Sequence, residues 1–436
     1  MSNILTNNIN PRSGNTININ GTISGINVSG ISTIGNVVVG GATTELVVTG
    51  DARVTGILTV GTASVTLNGN DGTISGINNV NSVSFPSTGP LSNRNIIING
   101  AMQVAQRATS VTSINNPATT YATVDRMYHA FSSYGTWTST QESDSPDGFS
   151  KSWKVNCTTA NSSLSPGDYA LLAYRIEGQD LQHLKYGTSS AEDTVISFWV
   201  KSNKTGAASF DINQSDNSNK QFCKAYTINA ADTWEYKTIT IPGDTAGVID
   251  DNNGSGMQII WWLGSGSDFS AGTHATTWEA SNDPNRNASD LACGMTIGDY
   301  FQITGIQWEL GTQATPFEHR SFGDELKKCE RYYEKSYTYV SPPGTLTNNG
   351  ALSLRKSALA SSLTDIIVRF QTRKRATPTI GIYSPGSSTE GLVEVDSTDV
   401  TGNDQSTNEM GFRITSVPSG AANVICSAHY TAAAEL

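Results

Sequence analysis

Eight tryptophans, all between positions 137 and 308, are the side chains best suited to hold a ligand. Trp153, Trp199 and Trp308 stand inside alternating β-type runs and read as core. Trp261 and Trp262 are adjacent, so in a strand they face opposite sides, one inward and one outward. Trp278 lies in the loop-like run HATTWEASNDPNRNAS. A flat aromatic face beside Asn and Asp suits a sugar, by stacking on the ring and hydrogen-bonding to hydroxyls. Trp262 and Trp278 are therefore read as glycan-binding residues, with Tyr383 added from the C-terminal part.

Signatures of catalysis are missing. G-x-S-x-G, HExxH, P-loop and GxGxxG phosphate motifs do not occur. The five histidines stand singly at 129, 183, 274, 319 and 429. Asp268, Glu279 and Asp283 are near one another, but glycoside hydrolysis needs two carboxylates about 5–10 Å apart in a cleft, and nothing more specific marks these three. The oxygen-rich run from Asp244 to Gly254 lacks the alternating spacing of a calcium loop and reads as a solvated loop. The expectation is a non-enzymatic protein with no catalytic residue, metal or cofactor. Five cysteines, an odd number without CxxC, read as buried thiols of a protein assembled in a reducing cytoplasm.

These side chains must be carried by β-structure. Of 436 residues, 37% are apolar, 15% are charged and 41 are Gly, a composition of turn-rich β protein rather than of a disordered chain. The net charge of −11, with no basic run longer than Arg373–Arg375, argues against a nucleic-acid partner. No apolar stretch approaches the roughly 18 residues of a membrane span, so membrane insertion is not expected.

Residues 1–92 contain a single aromatic, Phe85, and GTISGIN occurs at both Gly21 and Gly72. Ile17 and Ile19 alternate with Asn18 and Asn20 at the period of a strand. One such chain would leave its strand edges open, and winding three together covers them. The expectation is an intertwined β-solenoid or β-prism shaft, trimeric. Residues 93–323 carry about nine strand patterns and predict a jelly-roll β-sandwich. These include Asn95–Asn99, Lys151–Val155, Ala170–Ile176, Thr194–Lys201 and Tyr300–Leu310, the last with a bend or bulge at Gly305. Residues 324–337 predict a linking helix. Leu326, Cys329 and Tyr333 share one face of it and are read as trimer-interface residues, facing the threefold axis or a sandwich. Residues 338–436 predict a small β-sandwich head. Its polar loops, 384–390 and 396–409, make it the favoured point of ligand contact, with a further glycan site near Trp262 or Trp278.

The run GIQWELGTQATPFEHRSFGDELKKCERYYEKS (Gly305–Ser336) resembles a segment recurring in phage tail fibre proteins, notably of marine and cyanobacterial phages. NRNIIINGAMQVAQR (Asn93–Arg107), followed by Val124-Asp125-Arg126, is similar to the opening of the same module, and HYTAAAEL (His429–Leu436) to its frequent ending. The resemblance implies a homotrimeric fibre on the virion, joined to tail or adaptor proteins by its N-terminus. It implies recognition of a host surface polysaccharide such as lipopolysaccharide. The alternatives are a tailspike-type depolymerase of capsule or O-antigen, and a purely structural appendage protein.

Overall fold

The computed structural model describes residues 89–115, 117, 120–355, 364–416 and 424–436, together with five short strands between 57 and 84. The chain forms two compact units, Met1–Ser75 and Gly76–Leu436. In the first, β1 (Ile57–Thr59), β2 (Thr66–Asn68) and β3 (Thr73–Ser75) make an antiparallel sheet. In the second, β4 (Asn79–Val80) pairs with β5 (Val83–Ser84). The rest of the expected shaft lies outside the described residues.

The protein is all-β. Eleven strands follow: β6 (Ser110–Ile114), β7 (Met127–Ser132), β8 (Thr136–Glu142), β9 (Ser152–Thr159), β10 (Tyr169–Glu177), β11 (Thr194–Ser202), β12 (Gly206–Gln214), β13 (Lys220–Ile228), β14 (Glu235–Ile241), β15 (Ser255–Ser265) and β16 (Tyr300–Leu310). They form two antiparallel sheets, ordered β13-β12-β15-β10-β7 and β14-β11-β16-β9-β8-β6. The period of two explains the packing. In β11, Ile196, Phe198 and Val200 enter the core; in β15, Met257, Ile259, Trp261 and Leu263 do. Trp137, Trp153 and Trp308 join them between the sheets, in a jelly-roll-like sandwich.

Gly305 makes the expected bulge. Its φ is +62°, the β11–β16 register shifts beside it, and a Cβ there would come within 2.7 Å of the Phe149 ring. Asn95–Asn99 is not a strand. Side chains hold it instead: Asn95 Oδ1 accepts from the Ile97 and Trp308 amides, and Arg320 donates to the Asn95 carbonyl.

After the sandwich comes α2 (Phe322–Glu330), preceded in the chain by the single turn α1 (Ser267–Ser270). Ser321 caps α2 by accepting from the Asp324 amide. The helix stops at Glu330, short of the expected span, because Tyr333–Lys335 pairs as β17 with the last strand. The remaining strands are β18 (Leu352–Arg355), β19 (Thr364–Arg369), β20 (Thr379–Tyr383), β21 (Leu392–Val395), β22 (Thr398–Asn408), β23 (Gly411–Ser416) and β24 (Ile425–Ala433). With β17 they make one eight-stranded sheet that branches at β24, around a core of Val393, Phe412, Ile414, Cys426 and Tyr430. Among the described residues no helix is long and apolar enough to cross a membrane.

Candidate functional site

The outward face of the sheet β13-β12-β15-β10-β7 carries the candidate site. Alternation turns Tyr169, Leu171 and Arg175 of β10 outward, with Gln258, Ile260 and Trp262 of β15 and Asp211 and Asn213 of β12. The strand register arranges them in rungs. Arg175, Gln258 and Asn213 stand opposite one another on three adjacent strands. One rung along come Tyr128, Ala173, Ile260 and Asp211; the next holds Ala130, Leu171 and Trp262. The face therefore grades from a polar rung to an apolar and aromatic end.

Two segments wall it. On the β7 side, Tyr121 packs on Tyr128, ring centroids 5.4 Å apart, and the Tyr169 hydroxyl donates to the Pro117 carbonyl at 3.5 Å. On the other side runs the loop from α1 to Leu291. His274 bonds Ser209, Gln221 donates to Glu279, and Arg286 Nε donates to Asp211 at 2.8 Å. Arg286 also lies 5.2 Å from the Trp262 ring centroid. Burial disfavours its charge, but the Asp211 carboxylate outweighs this and raises its pKa. Between the walls is a cavity of about 410 Å³, lined among others by Tyr169, Arg175, Asn213, Gln258, Ile260, Trp262, Phe269 and Arg286. That size is typical of small-molecule sites.

Asn213 is 4% exposed and its Oδ1 has no hydrogen-bond partner. Trp262, 1% exposed, likewise has an unpartnered indole N–H. Buried polar atoms are normally paired, so Asn213 and Trp262, two residues that line one cavity, each carry an unmet hydrogen-bonding group there.

The sequence-based site residues are scattered. Trp262 does reach the cleft, but as a buried floor residue covered by Phe269 and Tyr169 (centroids 5.2 and 6.3 Å), so it presents no free stacking face. Half-buried Tyr169 and Phe269 are the accessible rings. Trp278 does not line the cleft. It plugs the sandwich edge between Phe222 and Tyr186, its indole N–H donating to the Pro242 carbonyl at 2.6 Å. Tyr383 sits on β20 in the eight-stranded C-terminal sheet, against Tyr337. Of the supposed interface residues, Cys329 and Tyr333 are buried by this chain's own groups, with the Arg107 guanidinium 3.7 Å from the Tyr333 ring centroid. Leu326 is half-buried.

Sequence reasoning missed Arg175, Asn213, Gln258 and Arg286. A signal existed in Phe210-Asp211-Ile212-Asn213, where apolar and polar residues alternate as on a strand with a solvent-side face. The Asp244 loop binds an ammonium: its carboxylate accepts from Lys220 at 2.6 and 2.7 Å. Among the described residues no group of three His, Cys, Asp or Glu could hold a metal ion.

No family model matches the chain, and no curated protein does. Solved structures share weak similarity. One is the enzymatically active domain of tailspike protein 4 from bacteriophage CBA120, with 14% identity over 50% of this chain and a TM-score of 0.26. The match spans only 21% of that tailspike chain. Another is the family 11 carbohydrate-binding module of a Clostridium thermocellum cellulase: 14% identity, 48% of this chain, 98% of that one, TM-score 0.24. A family 4 carbohydrate-binding module is similar at 12% identity over 49% of this chain and 97% of its own, TM-score 0.24.

Proposed function

We propose that this chain is a non-enzymatic glycan-binding protein of a phage tail fibre, and that the cleft above the Arg175–Gln258–Asn213 rung takes the sugar. The unpartnered Asn213 acceptor in a walled cleft with accessible Tyr169 and Phe269 rings carries the reading. Rings stack on sugar C–H faces while amides and a guanidinium exchange hydrogen bonds with hydroxyls. The resemblance of Asn93–Arg107, Gly305–Ser336 and His429–Leu436 to fibre segments supports the virion setting. A homotrimer, attached to tail proteins by the N-terminal segment and touching host polysaccharide, would gain strength by threefold avidity. This moves the favoured contact from the 338–436 head to the sandwich. Against a depolymerase, Asp211 and Asp283, the carboxylates beside this cleft, both ion-pair with Arg286.

The test is retention of the full chain in native gels cast with host-derived polysaccharide, alongside Gln258→Ala and Tyr169→Ala variants. Retention lost in both variants, with unchanged melting, is the expected result. Retention equal to wild type in both would reject the cleft. Sedimentation should give a mass of three chains that survives dilution; a folded monomer would remove the trimer from the proposal.

A further inference from the structure

We infer, resting on the glycan reading above, that the sugar held in this cleft carries an N-acetyl group. The polar rung offers a buried acceptor at one end, Asn213 Oδ1, without a partner. Beside it across β15 stands the Gln258 amide, and beyond that, across β10, the Arg175 guanidinium, whose Nη1 already donates to the Leu436 carbonyl at 2.7 Å. Adjacent strands lie ~4.8 Å apart, so the rung from β12 to β10 spans roughly 10 Å.

The N–H and C=O of a trans acetamide point in opposite directions. Laid along this rung, the N–H meets Asn213 Oδ1 and the carbonyl meets the donors of Gln258 and Arg175. The methyl, on the far side of the amide from the sugar ring, then turns down to the floor at Ile260, the next outward residue of β15, and the ring stands above it in the cleft. Beyond Ile260 the floor is Leu171 and Ala130, both lining the cavity. This floor is aliphatic where a plain hexose would place the hydroxyl that stands in for the acetamido group. A hydroxyl could satisfy Asn213, but its neighbours would be desolvated against Ile260 and Leu171 with no return bond. A methyl suits that surface and a hydroxyl does not. The acceptor, the donors and the apolar seat follow one another in the order an acetamide needs.

The experiment is saturation-transfer NMR and competition on the full chain. The probes are N-acetylglucosamine, N-acetylgalactosamine, and the matching glucose, galactose and glucosamine. At least one N-acetyl sugar should bind about tenfold or more tightly than its hydroxyl or free-amine counterpart, with the strongest saturation on the acetyl methyl. Asn213→Leu should abolish that preference while melting at or above the wild-type temperature, since it removes a buried atom that has no partner. If Asn213→Leu does not fold, Gln258→Leu should show the same loss. Equal binding of glucose and N-acetylglucosamine, and of the galactose pair, overturns the inference and leaves the glycan reading intact. Polysaccharide retention without any binding of N-acetyl sugars does the same. If neither polysaccharide nor sugar binds, both readings fall.

Discussion

The carboxylate of Glu177, wholly buried at the end of β10, accepts two hydrogen bonds from the Arg331 guanidinium, at 2.8 and 2.7 Å. A third comes from the Tyr332 hydroxyl at 2.6 Å. The sandwich is thereby fastened to the segment just after α2. Burial pushes the Glu177 pKa up, but the bonds from Arg331 and Tyr332 outweigh it and hold the group below the usual carboxylate range. Arg331→Ala should cost about 3 kcal/mol in urea unfolding at neutral pH, because it strands a buried charge. Arg331→Lys should recover only part, as it cannot make the two-pronged contact. With a depressed folded pKa, the stabilisation is present above the unfolded value of 4.5 and lost as pH falls through the folded one. An alanine variant as stable as wild type at pH 7 would show the pair to be neutral.

His129 points into the core between Phe131 and Trp153, with neither ring nitrogen hydrogen-bonded. Burial lowers its pKa from 6.5 to about 4. Between these values the unfolded chain binds the extra proton, so stability should decline from pH 6.5 down to about 4 and level off below. The single-site loss is at most about 3 kcal/mol. Comparing the pH dependence of unfolding for wild type and His129→Phe isolates it. Parallel curves would mean that the site protonates in the folded state.

All five cysteines are buried thiols outside any disulfide. Burial raises the thiol pKa of Cys157, Cys223, Cys293 and Cys329, so thiolate is scarce as well as shielded. A thiol reagent such as dithionitrobenzoate should find almost none in the native protein and five after denaturation. Rapid reaction of one or more native thiols would show that the covering structure opens.

The sequence carried the sandwich because its core strands alternate cleanly. Tyr300–Leu310 was readable to its end residues, and the Trp261/Trp262 pair divided between the two faces as adjacency requires. Met127–Ser132 was not legible as a strand, since both its faces are buried and its sequence, MYHAFS, shows no polar alternation. The helical pattern overruns the helix because Arg331–Lys335 continues it. Only the distant partner Thr431–Ala433 makes Tyr333–Lys335 a strand. The cleft was hidden for a similar reason. Arg175, Gln258 and Asn213 are ordinary strand residues far apart in sequence, and only the β10–β15–β12 register makes them neighbours.

Removing residues 338–436 will not leave an intact sandwich. Arg126, 0% exposed, stacks 3.5 Å from the Tyr332 ring centroid and donates to Glu435 at 2.5 Å and to the Arg175 carbonyl at 2.7 Å. The Lys374 ammonium, also buried, donates to Glu334 at 2.6 Å and to the Glu330 carbonyl. Truncation after Tyr337 deletes Glu435 and Lys374 together with β24, the partner of β17. Arg126 and Glu334 then lose their counter-charges, and each broken buried pair costs about 3–5 kcal/mol, a large share of a typical domain's stability. Arg175 also loses its bond to the Leu436 carbonyl, at the polar end of the cleft. The 1–337 protein should therefore be largely insoluble, or melt well below the full chain, and should not retain polysaccharide. Glu435→Gln in the full-length protein is the milder companion. It keeps the shape, removes the charge beside Arg126, and should lower melting while leaving the cleft walls in place. A soluble 1–337 chain that melts cooperatively at the full-length temperature would show that the last hundred or so residues merely rest on the sandwich.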